Sequence, residues 1–219
     1  MPRIPQKPAM RGSQKWLQRA VAHAPHLLQP PGLPPLTWRS PLANDDFAEY
    51  SDAAFLQRLG LDHLVPLIGG FWPRGGPVWD GLAIAGKAVV LVEAKAHLRE
   101  AISTPCAATA TESRARISAA LADARGALGG DDRSDWMRVF FQQANRLTHL
   151  HWLVAQGVDA HLLQVGFCGD HAMRLPGTAE AWQAMDMAVL HALGLGQAHP
   201  LAGRVHHLHP PVALLSGPG

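Results

Sequence analysis

The alternation of apolar and polar positions is clearest between residues 78 and 95. Ala88-Val89-Val90-Leu91-Val92 is a continuous apolar run rich in β-branched residues, followed by Glu93-Ala94-Lys95. Such a run reads as a strand buried on both faces, and Val78 to Ala85 as its hairpin partner. The connection Ala85-Gly86-Lys87-Ala88 suits a two-residue turn with glycine at the first central position, where a positive φ is needed. With Gly86 and Lys87 as the turn, facing residues sum to 173 and Asp80 falls opposite Glu93. Facing pairs have Cβ atoms about 4.5–5.5 Å apart. Because side chains alternate along a strand, Glu93 and Lys95 share the face of Asp80, and Ala94 points into the other layer.

Elsewhere the pattern is helical. Ser13 opens a short helix to about Ala22, and Gln29 to Pro35 is a Pro-rich connector. Asn44 caps a helix over 45–59, with Phe47, Phe55 and Leu59 on its apolar face, Asp45, Glu49 and Asp52 on another, and Gly60 as its stop. Leu64 to Ile68 reads as a strand. Residues 98–110 are a loop or lid, and Thr111 opens a helix to about Leu128. Ser134 caps a long helix to Gln156, with Trp136, Phe140, Ala144, Leu147 and Val154 as its core stripe and Arg138, Gln142, Arg146 and His149 beside it. His161 to Phe167 is a further strand, and Thr178 to Leu193 a last helix ended by Gly194.

Composition narrows the reading. A chain of 219 residues has room for one domain with a sizeable core. Neither a membrane-spanning apolar run nor a secretory signal is apparent, which points to a cytoplasmic protein without a membrane partner. Cys106 and Cys168 stand in unrelated contexts and make no disulfide framework or zinc knuckle. The net charge is +2, but residues 1–44 carry Arg3, Lys7, Arg11, Lys15, Arg19 and Arg39 and no acid. An arm of that kind, taken as residues 1–43, would be drawn to phosphate backbones; a solvated tail is the alternative. Pro2, Pro5 and Pro8 argue against a transit-peptide helix. His149 and His151 lie two apart on a helix and point to different sides, and His206, His207 and His209 read as a loop beside Pro210 and Pro211.

Two acids and a lysine among apolar neighbours are costly unless they bind something or each other. An acid followed on the next strand by Glu-x-Lys resembles the metal site of the PD-(D/E)XK nuclease superfamily, with Trp79-Asp80 in place of its Pro-Asp dipeptide. The resemblance covers roughly residues 44–170 and is specific only at the hairpin. It implies an α/β fold with a mixed four- to five-stranded sheet flanked by helices, a restriction-endonuclease-like core over residues 44–219. It also implies Asp80 and Glu93 as ligands of Mg2+ or Mn2+, helped by the Ala94 carbonyl, and Lys95 as the group that positions water and phosphate. Glu49, on the preceding helix, is the candidate third acid. Gln142 is the candidate glutamine of the following helix, and Arg146 a phosphate contact. The expected activity is phosphodiester hydrolysis of nucleic acid, DNA ahead of RNA. The competing expectation is a non-catalytic nucleic-acid-binding or interaction module that keeps the fold.

Overall fold

The structure is a computed structural model in which residues 3–216 are described; residues 1, 2 and 217–219 of the expected arm and domain, Pro2 among them, lie outside the described residues. The fold is α/β. In chain order the regular elements are β1 (Arg3–Ile4), α1 (Gly12–His23), β2 (Leu36–Ser40), β3 (Glu49–Tyr50), α2 (Asp52–Arg58), α3 (Val65–Phe71), β4 (Gly81–Ala85), β5 (Ala88–Lys95), α4 (Leu98–Ala101), α5 (Thr111–Ala127), α6 (Phe141–Ala155), β6 (Ala160–Gly166), α7 (Ala179–Ala192) and β7 (Val205–Leu208). Five strands form a mixed sheet in the order β2-β4-β5-β6-β7, and β1 pairs with β3 separately. β2, β4 and β5 are antiparallel neighbours, whereas β5, β6 and β7 run parallel.

The hairpin forms in the expected register. Ala85 faces Ala88 and Gly81 faces Val92, and Gly86 has φ +62°, the backbone that glycine reaches without a Cβ penalty. Strand β5 divides two cores. Val89 and Leu91 pack under α5 and α6, while Val90, Val92 and Ala94 pack under α1. Glu93 and Lys95 continue the first face past its apolar stretch, so the strand that builds the core also carries the charged end.

Several expectations give way to tertiary contacts. The helix proposed over 45–59 is confined to α2, because Asp46 and Phe47 adopt left-handed backbone (φ 50° and 46°), which a helix does not tolerate. Asp45 is instead held by Arg3 Nε at 2.9 Å and Arg58 at 3.1 Å. Glu49 therefore lies on strand β3. The segment Leu64 to Ile68 is not a strand but the entrance to α3, where Pro66 occupies a first-turn position that needs no N–H donor. The helix expected from Ser134 starts only at Phe141, and Arg138 is not on it. Ser134 Oγ donates to the carbonyl of Ala192 and Trp136 Nε1 to that of Leu193, so this stretch satisfies the open carbonyls at the end of α7.

The basic N-terminal segment is not a free arm. Trp16, Leu17 and Ala20 of α1 are buried in the second core, and Leu36–Ser40 is an edge strand of the sheet. The helix expected from Ser13 is present as α1, whereas β2 escapes the pattern because it is short and only half-buried. Residues 205–208, read as a loop, form edge strand β7 beside β6. No described helix is long and apolar enough to cross a membrane.

Candidate active site

The end of the hairpin opens into a cavity of about 890 Å3 lined, among others, by Glu49, Asp80, Glu93, Lys95 and Gln142. All five residues expected from the sequence thus border the same cavity. Each arrives differently. Asp80 precedes β4, and Gly81 next to it allows close approach: a Cβ there would lie 3.2 Å from the Ser40 carbonyl oxygen and from Val92. Glu93 and Lys95 end β5. Glu49 reaches the cavity beside a bridge between Tyr50 and Trp79, with the Trp79 amide donating to the Tyr50 carbonyl. Gln142 stands in the first turn of α6, its amide held by Ser103 Oγ at 3.0 Å.

The polar groups fall into three hydrogen-bonded sets, around Asp80, Glu93 and Glu49. The amide of Ala94 donates to Asp80 Oδ2 at 2.8 Å, which turns the middle residue of Glu-x-Lys toward the first acid. Amide and carbonyl of one strand residue leave on the same edge, so the Ala94 carbonyl faces that side too. Glu93, 2% exposed, is paired through Oε1 with Lys95 Nζ. Its Oε2 lies 2.6 Å from both Nε and Nη2 of Arg146. The guanidinium also donates from Nη2 to the Val78 carbonyl at 2.8 Å and from Nη1 to Asn145 Oδ1 at 2.9 Å, and it stacks 4.6 Å above the ring centre of Trp79. Glu49 accepts from Gln6 and Gln14 at 3.0 and 2.9 Å.

Arg146 is the residue whose place the sequence conceals. It shares a helical stripe with Gln142, as a phosphate contact would, yet it is 3% exposed and committed to Glu93 and the backbone. Its reach to residues 53 and 68 positions away is visible only in the folded chain. Trp79, immediately before Asp80, supplies the ring on which the guanidinium lies.

Electrostatics separate the acids. Burial, the Glu93 charge behind it, pushes the Asp80 carboxyl up to about 7, with Lys95 and the Ala94 amide only partly offsetting this. Burial opposes the charge on Glu93 as well, but Arg146 and Lys95 outweigh it and hold that carboxyl below its usual range. For Lys95, burial disfavours the ammonium, and the two acids more than compensate, so its pKa rises. Burial, with the Glu93 charge in support, raises Glu49 above the usual range despite the amides of Gln14 and Gln6.

A raised Asp80 pKa has a defined stability signature. Between its unfolded value near 4 and about 7, native Asp80 keeps a proton that the unfolded chain has lost. Its contribution to stability therefore falls as pH rises through that window and levels above it. In metal-free buffer, Asp80→Asn is expected to flatten this part of the stability profile, measured by urea denaturation from pH 4 to 8. An unchanged slope would show that Asp80 ionises normally.

Among the described residues, no three His, Cys, Asp or Glu side chains stand close enough to form a metal site by themselves. The donor chemistry nevertheless fits a hard ion. Mg2+ is commonly bound through one or two carboxylates, with water and phosphate completing its shell, and here two carboxylates border one cavity beside the Ala94 backbone. Asp80, Glu93 and the Ala94 carbonyl are the groups that would hold such an ion; Glu49 remains a carboxylate on the cavity wall, clasped by two glutamines.

The histidines have other roles. His149 is 1% exposed, surrounded by Phe55, Phe71, Trp72 and Trp79, and burial pushes its pKa down to about 3. His151 lies 3.1 Å from Asp123. On and beyond β7, His207 and His209 lie 2.9 and 3.3 Å from Asp186, an acidic partner that sequence proximity could not reveal.

Compared with known proteins, the chain matches no protein-family model, no curated protein and no solved structure.

Proposed function

We propose that this chain is a Mg2+- or Mn2+-dependent phosphodiesterase of the PD-(D/E)XK type, acting on nucleic acid, DNA ahead of RNA. The observation that carries the reading is the convergence of Asp80, Glu93 and Lys95 at one cavity, with the Ala94 amide tied to Asp80. When bound, the ion polarises the phosphoryl group and lowers the pKa of a bound water. Asp80 and Glu93 provide the negative pole that retains it. Lys95 provides a compact cation on a flexible stem, placed to orient the attacking water and to offset charge growing on the phosphate oxygens. Arg146 fixes the Glu93 carboxylate through a planar fork and keeps it ionised. Gln142 lines the wall and offers an amide for substrate or water. The surrounding apolar strand ends keep the dielectric low, which strengthens each of these interactions.

One observation favours a second reading, a non-catalytic binding or interaction module: Glu93 already has cations on both oxygens, as in a buried structural ion cluster. The two readings separate in one experiment. Mg2+ or Mn2+ is expected to raise the thermal midpoint of the wild type, since a ligand that binds only the native state stabilises it, and to support cleavage of single-stranded or duplex DNA or RNA. Asp80→Ala is expected to remove both responses. A metal-independent midpoint and intact substrates would assign the cluster to structure.

A further inference from the structure

The same cavity restricts what form of nucleic acid reaches the acids. This inference rests on the nuclease reading and concerns its substrate. Glu93, on the cavity floor, is 2% exposed, and the walls are chain segments, Trp72 to Val78 and Ser103 to Ala110. The second of these is pinned, since Ser103 Oγ accepts from the Gln142 amide and the Cys106 amide donates to the Met137 carbonyl at 2.8 Å. The cleft is open to solvent, and its volume of about 890 Å3 lies within the roughly 300–1,000 Å3 of sites that take one small molecule, so it receives a short stretch of backbone and not the width of a paired helix. In a duplex each phosphate is held on the outside of a stiff rod, with a persistence length of about 150 base pairs, and cannot be bent out of line toward the buried Glu93. An unpaired strand can, because its backbone bends at each nucleotide and its bases are free to stack.

Charge points the same way. A duplex carries a phosphate charge about every 1.7 Å of axis, and proteins that follow it set out many cations. The cations lining this cavity are Arg74, Lys95 and Arg146, and the last two are engaged with Glu93. Arg74, exposed on the Trp72 to Val78 wall, is the one placed to meet a phosphate from outside. Half-buried Phe141 on the opposite helix supplies an aromatic surface of the kind that takes a base in single-strand sites. We infer that the cavity accepts a short single-stranded segment, with Arg74 gripping the backbone at its mouth, and that duplex is excluded unless it is opened.

Fluorescence anisotropy with the full-length wild type tests this without cleavage, in EDTA and again in Ca2+, using one labelled oligonucleotide as a single strand and as a blunt duplex. The single strand is expected to bind at least about tenfold more tightly. With at most three participating cations, its log–log salt slope is expected to be no steeper than about −2. Arg74→Ala is expected to weaken single-strand binding about tenfold while leaving the thermal midpoint in place, because the side chain is exposed. Equal or tighter binding of the duplex, a markedly steeper slope, or an unaffected Arg74→Ala variant would overturn the inference, leaving the nuclease reading to the cleavage assay. Binding of neither form, together with absent metal-dependent cleavage, would overturn both.

Discussion

Lys95→Ala is expected to abolish most cleavage while preserving metal binding. The lysine is no ligand, so the carboxylates of Asp80 and Glu93 remain, and removing the ammonium from Glu93 Oε1 frees that oxygen for an ion. The metal-dependent rise in thermal midpoint is therefore expected to persist or grow. Turnover loses the nearest mobile cation beside the attacking water and the phosphate, a loss on the order of 10²-fold or more in rate. Single-turnover cleavage under saturating Mg2+ reads the chemical step, and the thermal shift read in parallel reports the ion. A variant that cleaves at the wild-type rate would remove Lys95 from the mechanism; one that loses the metal response with the rate would make it a scaffold for the acids.

The second large effect is on stability. Arg146→Met is expected to destabilise the protein by about 3–5 kcal/mol, the range found when one partner of a buried ion pair is deleted. Methionine keeps an unbranched apolar side chain and removes the charged fork together with its stacking on Trp79. Glu93 Oε2, the Val78 carbonyl and Asn145 Oδ1 all lose donors, and a buried group left without its partner retains its full desolvation cost. Lys95 alone cannot satisfy both oxygens of Glu93. The double variant Glu93→Gln/Arg146→Met is expected to recover part of the loss, because it removes the stranded charge as well as the cation. Urea denaturation of both single variants and the double completes a cycle whose coupling term measures the pair. Additive effects would mean that Glu93 and Arg146 do not depend on each other.

The two residue types in these experiments differ in how visible they are from the chain itself. Lys95 is legible because its position is a local consequence of the strand: once Gly86 and Lys87 make the turn, alternation and register fix which residues share a face. The same local physics places Thr178 as a helix cap, with its side chain accepting from the Ala181 amide, and starts α5 at Thr111. Arg146 is legible only as a member of a helical stripe. Periodicity places a side chain on a face but says nothing about which strand end that face will meet, and the difference here is between a phosphate contact and a buried counterion.

The misplaced elements have a common cause. Helical spacing over residues 45–59 and 134–140 describes what those segments would do alone, and long-range bonds decide otherwise. Asp45 is drawn away by Arg3 and Arg58, and Ser134 and Trp136 are recruited to the end of α7. Edge strands β2 and β7 carry little pattern because one side of each faces no neighbouring strand, so their burial is incomplete and their side chains are free to be polar or aromatic.

What the sequence determined by itself is the hairpin and its register from Gly81 to Val92, a two-sided core strand that ends in Glu93 and Lys95, and the α/β character of the chain; Asp80 stands just before the ladder, tied to the Ala94 amide. These follow from interactions spanning a few residues, where turn geometry and side-chain period leave one solution. The tertiary structure decided that Glu49 approaches from a strand, that α1 closes the second core, that Arg146 neutralises Glu93, and that two wall segments turn the strand ends into an open cleft. Each of those depends on contacts between distant parts of the chain, set by the competition among buried charges for partners and among apolar faces for cover, which no local window of sequence contains.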